Sequence, residues 1–366
     1  MKKLKITICS LLVLCSCFVL SACDGADLKT FDASLFEIGK TEFVYDGQSH
    51  VFEVNYPGVD VEVEYSLTKT DFEDADELNF VGDDAEAVTY NVYFEVSADG
   101  YKDYVSENAV QIKVVPKAVE LKEGTTYSYY NGLADAVEAV ETEGSIKFYK
   151  DVTAPGVKVQ AGKEIEVDLN GYTFTPNVPV GSVGTVTLGL QPLKGSDVSI
   201  KNGTIKAGQP GIKMLINNYS DLTLDNVVLD GRGLIGTGSN QTGANYVLSN
   251  NFGNVVIKGN TQIITDENDY AFDLWYGMFE TYNDGVSVTF DSTFTGKISG
   301  YVEYGAANNV EGWKEKTILT INGGDFSEAI FKASSTHATI AEANINLPQG
   351  WSLVESATAG EYVISK

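Results

Sequence analysis

The sequence predicts an all-β protein. An antiparallel β-sandwich is followed by a β-helix solenoid, which begins with a short N-terminal capping helix. Three observations predict this class. Short runs of alternating apolar and polar residues, ended by Gly, Asn or Asp, fill most of the chain. A unit of strand, Asn/Gly corner and strand recurs after residue 145. Tyr and Phe, which favour strands, occur 20 and 17 times.

The start of the chain has the organisation of a cleavable export signal. Lys2-Lys3-Leu4-Lys5 is positive, and the apolar stretch 6–20 that follows is short for a membrane span. The next residues, Leu20-Ser21-Ala22-Cys23, resemble the lipobox of bacterial lipoproteins.

This resemblance implies that residues 1–22 are removed and that Cys23 receives lipid. Residues 23–27 would then tether the protein to the outer face of a bacterial cell membrane, because multiple acyl chains anchor stably. The alternative is an ordinary secretory signal in which Cys23 occurs by chance.

Composition and charge exclude several kinds of site. A formal net charge of −26 over 366 residues argues against a basic patch for nucleic acid or anionic lipid. All four cysteines lie at or before residue 23, so the folded part has no disulfide and no Cys-ligated metal. Arg232 is the only arginine, although chemistry on acidic polysaccharides usually uses several cations.

Residues 28–116 are predicted to form the β-sandwich. Alternating runs such as 51–54, 59–65, 90–96 and 110–115 give about seven short strands. Four segments resemble the MBG-type bacterial immunoglobulin-like domain, and the resemblance implies a spacer rather than a catalyst. They are Tyr45-Asp46-Gly47, residues 87–92, Gly100-Tyr101-Lys102 and Val110-Gln111-Ile112. Glu86-Ala87 departs from this family, which usually has Gly before the Tyr strand.

An acidic loop in this domain is a candidate calcium site. Asp71, Glu73, Asp74 and Asp76 offer the hard oxygen ligands that Ca²⁺ prefers, although their spacing is not that of an EF-hand. The alternative is a solvated acidic loop. Ca²⁺ is the one cofactor that the sequence leaves open.

Residues 117–366 are predicted to form the β-helix. Residues 133–140 have apolar residues at helical spacing, which predicts the capping helix. The corner residues Asn170, Asn202 and Asn226 are 32 and 24 residues apart, which suits a solenoid with variable loops. Such corner amides can stack in ladders. At roughly 25–30 residues per coil we expect about eight to ten coils. An antiparallel sandwich or jelly roll is the alternative.

Several of these segments resemble the right-handed parallel β-helix of the pectin-lyase-like superfamily. They are residues 133–140, Asp168-Leu169-Asn170-Gly171, residues 200–205 and residues 322–326. The resemblance implies a fold more than a function.

Two chemistries are common on that fold, namely Ca²⁺-assisted β-elimination and hydrolysis by paired aspartates. Asp225 and Asp230 could bind Ca²⁺ and Arg232 could be the base, with Asp168 one or two coils away. The alternative is that Asp230-Gly231-Arg232-Gly233 is a turn. His50 and His337 lie in separate domains without a motif.

A cluster of aromatic residues is the candidate glycan-binding site, because exposed rings stack on sugar faces while neighbouring carboxylates, Asp273 among them, bond hydroxyls. The alternative is that these rings fill the interior of the coils. The candidates are Trp275, Tyr276, Phe279, Tyr282, Tyr301, Tyr304 and Trp313.

The layout predicts a membrane-anchored surface lipoprotein that acts as a non-enzymatic adhesin or as a glycan-binding or structural protein. Its partners would be the membrane, through Cys23, and a polysaccharide or host cell-surface glycan. The alternative is a tethered polysaccharide lyase or glycoside hydrolase acting on acidic glycans.

Overall fold

A computed structural model describes residues 27–74, 80–83, 86–182, 185–208, 210–236, 244–277, 284–306, 312–333 and 339–366. The predicted signal and Cys23 lie outside these residues. The regular secondary structure of the described chain consists almost entirely of strands, which confirms the all-β class. No described helix has the length and apolarity needed to cross a membrane.

The described helices are α1 (Leu133–Ala139) and α2 (Trp313–Lys316), with 3-10 helices at Ala33–Leu35 and Ile340–Glu342. The strands are β1 (Glu37–Ile38), β2 (Glu42–Val44), β3 (Val54–Asn55), β4 (Glu62–Ser66), β5 (Val88–Ser97), β6 (Tyr104–Val105), β7 (Val110–Val115), β8 (Val119–Glu123), β9 (Thr126–Tyr130), β10 (Glu143–Phe148), β11 (Val152–Pro155), β12 (Val157–Val159), β13 (Glu164–Asp168), β14 (Thr173–Val178), β15 (Leu188–Pro192), β16 (Asp197–Lys206), β17 (Met214–Asn218), β18 (Asp221–Asp230), β19 (Tyr246–Asn250), β20 (Gly253–Lys258), β21 (Gln262–Ile264), β22 (Tyr270–Tyr276), β23 (Val286–Phe290), β24 (Lys297–Ala306), β25 (Thr317–Ile321), β26 (Asp325–Ala333), β27 (Asn344–Asn346), β28 (Ser352–Glu355) and β29 (Glu361–Ser365).

The chain divides into two compact units. The first comprises described residues 27–40, 52–74 and 91–111. Its strand pairs β1–β3, β4–β5 and β5–β6 are antiparallel. An aromatic cluster fills it, in which Phe31 stacks on Tyr101 with ring centroids 4.6 Å apart.

The second unit comprises residues 41–51, the described part of 79–90, and 112–366. In it β2 pairs with β7 in parallel, with Glu42 opposite Lys113. For residues 28–116 the sequence predicted only antiparallel pairs, because alternation reports which face a residue occupies and not the direction of the neighbouring strand. The predicted domain boundary at 116/117 stays a prediction.

From residue 143 the strands stack in three rows of parallel pairs. Row A consists of β10, β13, the start of β16, the start of β18, β20, β23, β25 and β27. Row B consists of β11, β14, the ends of β16 and β18, β21, and the starts of β24 and β26. Row C consists of β12, β15, β17, β19, β22 and the ends of β24 and β26.

Apolar side chains at matching positions of successive strands form the core. In row A, Val167 lies opposite Ile200, Ile200 opposite Leu224, and Leu224 opposite Ile257, and all four are buried. Each contributes about 1.5–3 kcal/mol when its side chain leaves water. The alternating runs of the sequence thus become columns of apolar residues.

Helix α1 forms where the sequence predicts a helix, and it packs against β8, β9, β11 and β12. Leu133, Ala136 and Val137, at helical spacing, are buried, and Asp135 in the first turn favours the helix dipole. The helix ends at Ala139, one residue earlier than the sequence indicates, because Val140 takes a non-helical conformation.

The predicted asparagine corners adopt the left-handed conformation, with φ of 51° at Asn170, 58° at Asn202 and 55° at Asn226. Their amides do not form the expected ladder. They donate instead to the Phe148 carbonyl and to the carboxylates of Asp168 and Asp225. Left-handed backbone turns each amide toward a nearby strand end rather than toward the next amide.

An asparagine ladder does occur at the end of row C. The Nδ2 of buried Asn218 donates to the Oδ1 of buried Asn250 at 3.0 Å. Asn250 in turn donates to the Ser287 carbonyl at 2.9 Å. The ladder therefore satisfies polar groups inside the stack.

Candidate functional site

Row C carries a line of polar side chains at matching positions on successive strands. In register, Asn217 lies opposite Ser249, Ser249 opposite Asp273, Asp273 opposite Glu303, and Glu303 opposite Lys332. The first four are between 1% and 7% exposed. We call these five residues the polar row. A buried polar row needs partners, because desolvated polar groups are otherwise costly.

Two carboxyl groups are the chemical centre of the polar row. Asp273 accepts a hydrogen bond from the Ser249 hydroxyl at 3.1 Å and one from the Asn250 backbone N–H at 2.9 Å. The Tyr246 hydroxyl donates to Glu303 at 2.7 Å. We call Asp273 and Glu303 the acid pair.

Burial changes the protonation of the acid pair. Desolvation, and then the charge of Glu303, raise the pKa of Asp273 well above its ordinary value. Desolvation also raises the pKa of Glu303, although Tyr246 and Lys332 oppose that rise. Two neighbouring carboxyl groups resist ionising together. Asp273 is therefore the better proton donor of the two and Glu303 the better carboxylate.

Three half-buried tyrosines run beside the polar row. The rings of Tyr246 and Tyr270 stack at 4.6 Å, and those of Tyr270 and Tyr301 lie 5.6 Å apart. Lys332 Nζ lies 3.6 Å from the Tyr301 ring centroid. Because ring faces cover one another, this stack offers hydroxyl groups and ring edges to a ligand rather than a flat platform.

The predicted lyase residues are divided between rows A and B, and the structure brings Asp230 and Arg232 together. Asp168 and Asp225 lie in row A, each opposite Lys201. Asp230 lies at the end of row B, and its carboxylate accepts from Arg232 Nε at 2.8 Å and Nη2 at 2.6 Å. These bonds raise the pKa of Arg232, which makes it a poorer base.

The strand register accounts for the charged residues of row A without assigning them a catalytic role. Lys147, Asp168, Lys201, Asp225 and Lys258 occupy one line of successive partners, so opposite charges alternate along it. Opposite charges on neighbouring strands stabilise pairing. Asp168 and Asp225 thus contribute to strand pairing, and a catalytic role for them stays a prediction.

The aromatic candidates also divide. Tyr276, Tyr304 and Trp313 belong to the core, and Tyr304 packs edge-on against Trp313. Their rings are packed within the core, and glycan binding by these three stays a prediction. Trp275 and Tyr301 are half-buried. Phe279 and Tyr282 lie outside the described residues.

Of the predicted calcium ligands, Asp71, Glu73 and Asp74 are exposed, and Asp76 lies outside the described residues. Within the described ranges, no group of three or more His, Cys, Asp or Glu side chains is placed to hold a metal ion. The calcium site stays a prediction.

Sequence reasoning noted Asp273 as a carboxylate beside aromatic residues, and it missed Glu303. Each is a single acid in an apolar run, Phe272-Asp273-Leu274 and Val302-Glu303-Tyr304, and the two are one coil apart. A single acidic residue inside an apolar run was the sequence signal that could have identified both residues. No known protein family, curated protein or solved structure matches the chain.

Proposed function

We propose that this chain is a lipid-anchored bacterial surface protein that binds glycans without cleaving them. In this proposal Cys23 carries the lipid and residues 28–116 form an MBG-like, immunoglobulin-like spacer. Residues 117–366 form a right-handed parallel β-helix of the pectin-lyase-like kind. The parallel pairing of rows A, B and C supports the β-helix, and the net charge of −26 supports a ligand other than nucleic acid.

The polar row carries the proposal of glycan binding. Carboxyl, amide, hydroxyl and ammonium groups follow one another along neighbouring strands, which repeat about every 4.8 Å. Hydroxyl-rich ligands bind through many such groups in a line, each able to donate or accept. The tyrosine stack beside the row adds further hydroxyl groups.

A glycan panel tests this function. The processed chain 23–366, with Cys23→Ser to avoid lipid, is titrated against neutral and acidic oligosaccharides by calorimetry. We expect at least one class to bind and Glu303→Gln to weaken it about tenfold, since a hydrogen-bonded charge is lost. Glu328→Gln is the matched control, because Glu328 is an exposed acid paired with Lys297 in row B. Absence of binding, or equal effects of both variants, refutes the proposal.

The acid pair favours glycoside hydrolysis as a second candidate function. Retaining hydrolases place a proton donor and a carboxylate about 5–5.5 Å apart. Asp273 and Glu303 are partners on neighbouring strands, and the pKa of each is raised. Reducing ends released from a bound glycan, and lost in both Asp273→Asn and Glu303→Gln, would establish it. Intact glycan after long incubation leaves binding as the function.

A further inference from the structure

A groove of about 540 Å³ continues the polar row toward the start of row C. Gln191 and Asn217 stand side by side in it, since they follow the paired residues Leu190 and Ile216. Asn217 is also the first member of the polar row. The described lining is Ser182, Thr185, Thr187, Leu188, Gln191, Leu193, Met214, Asn217, Tyr219 and Asn251.

This lining contains no Asp, Glu, Lys, Arg or His among its described residues. The chain as a whole carries 51 Asp or Glu and 25 Lys or Arg side chains in 366 residues. A groove that avoids charge in so acidic a protein suits an uncharged ligand, because a charged one would lose water without gaining an ionic partner.

Two carboxamides in the groove lack good partners. Gln191 is 5% exposed, and its Oε1 has no hydrogen-bond partner. Asn217 is 4% exposed, and its Nδ2 donates to the Met214 sulfur at 3.6 Å. Thioether sulfur is a weak acceptor, and a buried carbonyl oxygen without a donor is unfavourable. The groove thus holds an acceptor that lacks a donor beside a donor that lacks a good acceptor.

We propose that this groove binds the acetamido group of an uncharged 2-acetamido sugar, an inference that rests on the proposed glycan-binding function. The ligand amide N–H donates to Gln191 Oε1, which reaches the groove by turning about its broad terminal torsion. The ligand carbonyl accepts from Asn217 Nδ2. The acetyl methyl packs against the apolar atoms of Met214 and Leu193, which also line the groove.

Ligands that differ only in the acetamido group test this inference. The processed chain 23–366 with Cys23→Ser is titrated with triacetylchitotriose and with cellotriose, which has hydroxyl groups in the acetamido positions. Saturation-transfer NMR then reports which ligand protons contact the protein. We expect the acetylated trimer to bind at least tenfold more tightly, with the strongest transfer at the acetyl methyl protons.

Variants locate the contact. Gln191→Met keeps the side-chain length and removes the amide, and we expect it to weaken the acetylated trimer about tenfold while leaving cellotriose unchanged. Gln262→Met in row B is the matched control, expected to change neither ligand. Thermal melting of each variant confirms that it is folded. Asn217→Leu provides a second, independent removal of a groove amide.

The outcomes separate the two proposals. Equal affinity for both trimers, or an unaffected Gln191→Met, overturns the acetamido inference while glycan binding stands. Absence of binding to every oligosaccharide of the panel overturns both. Tighter binding of a capped tripeptide amide than of the acetylated trimer, lost in Gln191→Met, assigns the groove to peptide and overturns the inference.

Discussion

Single residues in row C keep polar groups inside a stack that is otherwise apolar. Asn218 illustrates how, because its Nδ2 lies within 2.7 Å of the Ser220 carbonyl and 3.0 Å of Asn250 Oδ1. Asp273 is satisfied in the same way by Ser249 and Asn250. Its difference from Asn218 is that it can hold a charge, which makes its contribution to stability depend on pH.

The pH dependence of stability tests the protonation of Asp273. Its pKa is raised in the folded state, so the folded protein keeps a proton that the unfolded chain loses above about pH 4. This contribution is complete below the unfolded pKa and is lost as pH rises through the folded pKa. We therefore expect Asp273→Asn to gain free energy of unfolding relative to the original chain as pH rises above about 4, measured by urea denaturation.

Asp325→Asn is the control with the opposite sign. Hydrogen bonds from Ser327 lower the pKa of Asp325 in the folded state. The stability that Asp325 contributes is present above the unfolded pKa and is lost as pH falls through the folded one. The free energy of unfolding of the original chain should therefore increase relative to that of Asp325→Asn as pH rises from acid toward about 5. Parallel curves for Asp273→Asn and the original chain would contradict a raised pKa at Asp273.

At the scale of the element, the corners between rows decide how closely one coil approaches the next. Gly296 lies in the segment that leads into β24, and a Cβ there would collide with the Thr261 backbone of the neighbouring coil. Its φ is outside the left-handed region, so the glycine is required by space rather than by backbone conformation. Thr261 cannot move freely, because its hydroxyl is buried and donates to the Lys258 carbonyl at 2.7 Å.

Gly296→Ala tests this close approach of coils. We expect it to lower the free energy of unfolding by about 1–3 kcal/mol, since neighbouring backbone must shift to admit the methyl group. Gly323→Ala is the matched control, because its Cβ would meet only the Phe294 carbonyl at 3.2 Å. We expect that control to stay within about 1 kcal/mol of the original chain. Equal destabilisation in urea titrations would show that Gly296 is not a contact between coils.

Elements were predictable from the sequence to different degrees. The sequence correctly predicted a strand, a corner and a second strand around Asn202 and around Asn226. Alternation marks the buried face of each strand, and Asn tolerates the left-handed conformation of the corner. Row C was not read. Its strands end in Asn217-Asn218 and Ser249-Asn250, which look like loop residues by composition. They lie in strands because ladder and register bonds satisfy them, and single-sequence patterns do not report such partners.

At the scale of the whole molecule, register determined what the sequence could say about the site. Asp225, Asp230 and Arg232 are close in sequence and were grouped as a site, yet the Asn226 corner divides them between rows A and B. Asp273 and Glu303 are thirty residues apart and became neighbours only because one coil separates them. The spacing between paired residues of row A varies. Glu143 and its partner Glu164 are 21 residues apart, whereas Glu164 and its partner Asp197 are 33 residues apart. Spacing alone therefore could not identify the partners.

Antiparallel strands cover both ends of the parallel stack. At the start, β8 pairs with β10 and β9 pairs with β8. At the end, β29 pairs with β26 and with β28. An uncovered edge of a parallel row presents free backbone groups that recruit other chains, and solenoids depend on such caps for solubility. Self-association is therefore the measurable consequence of removing a cap.

Two proline substitutions in the last hairpin test this role. Tyr362 lies opposite Phe331 of β26, and Tyr362→Pro disrupts that pair because proline cannot donate to a ladder. We expect a lower melting temperature and species larger than a monomer in size-exclusion chromatography with light scattering. Ala359→Pro is the control. Glu361 N–H donates to the Thr358 carbonyl and Gly360 has φ of 81°, which is a turn that accepts proline at position 359. If Tyr362→Pro and Ala359→Pro both remain monomers with unchanged melting, β29 does not protect the end of the stack.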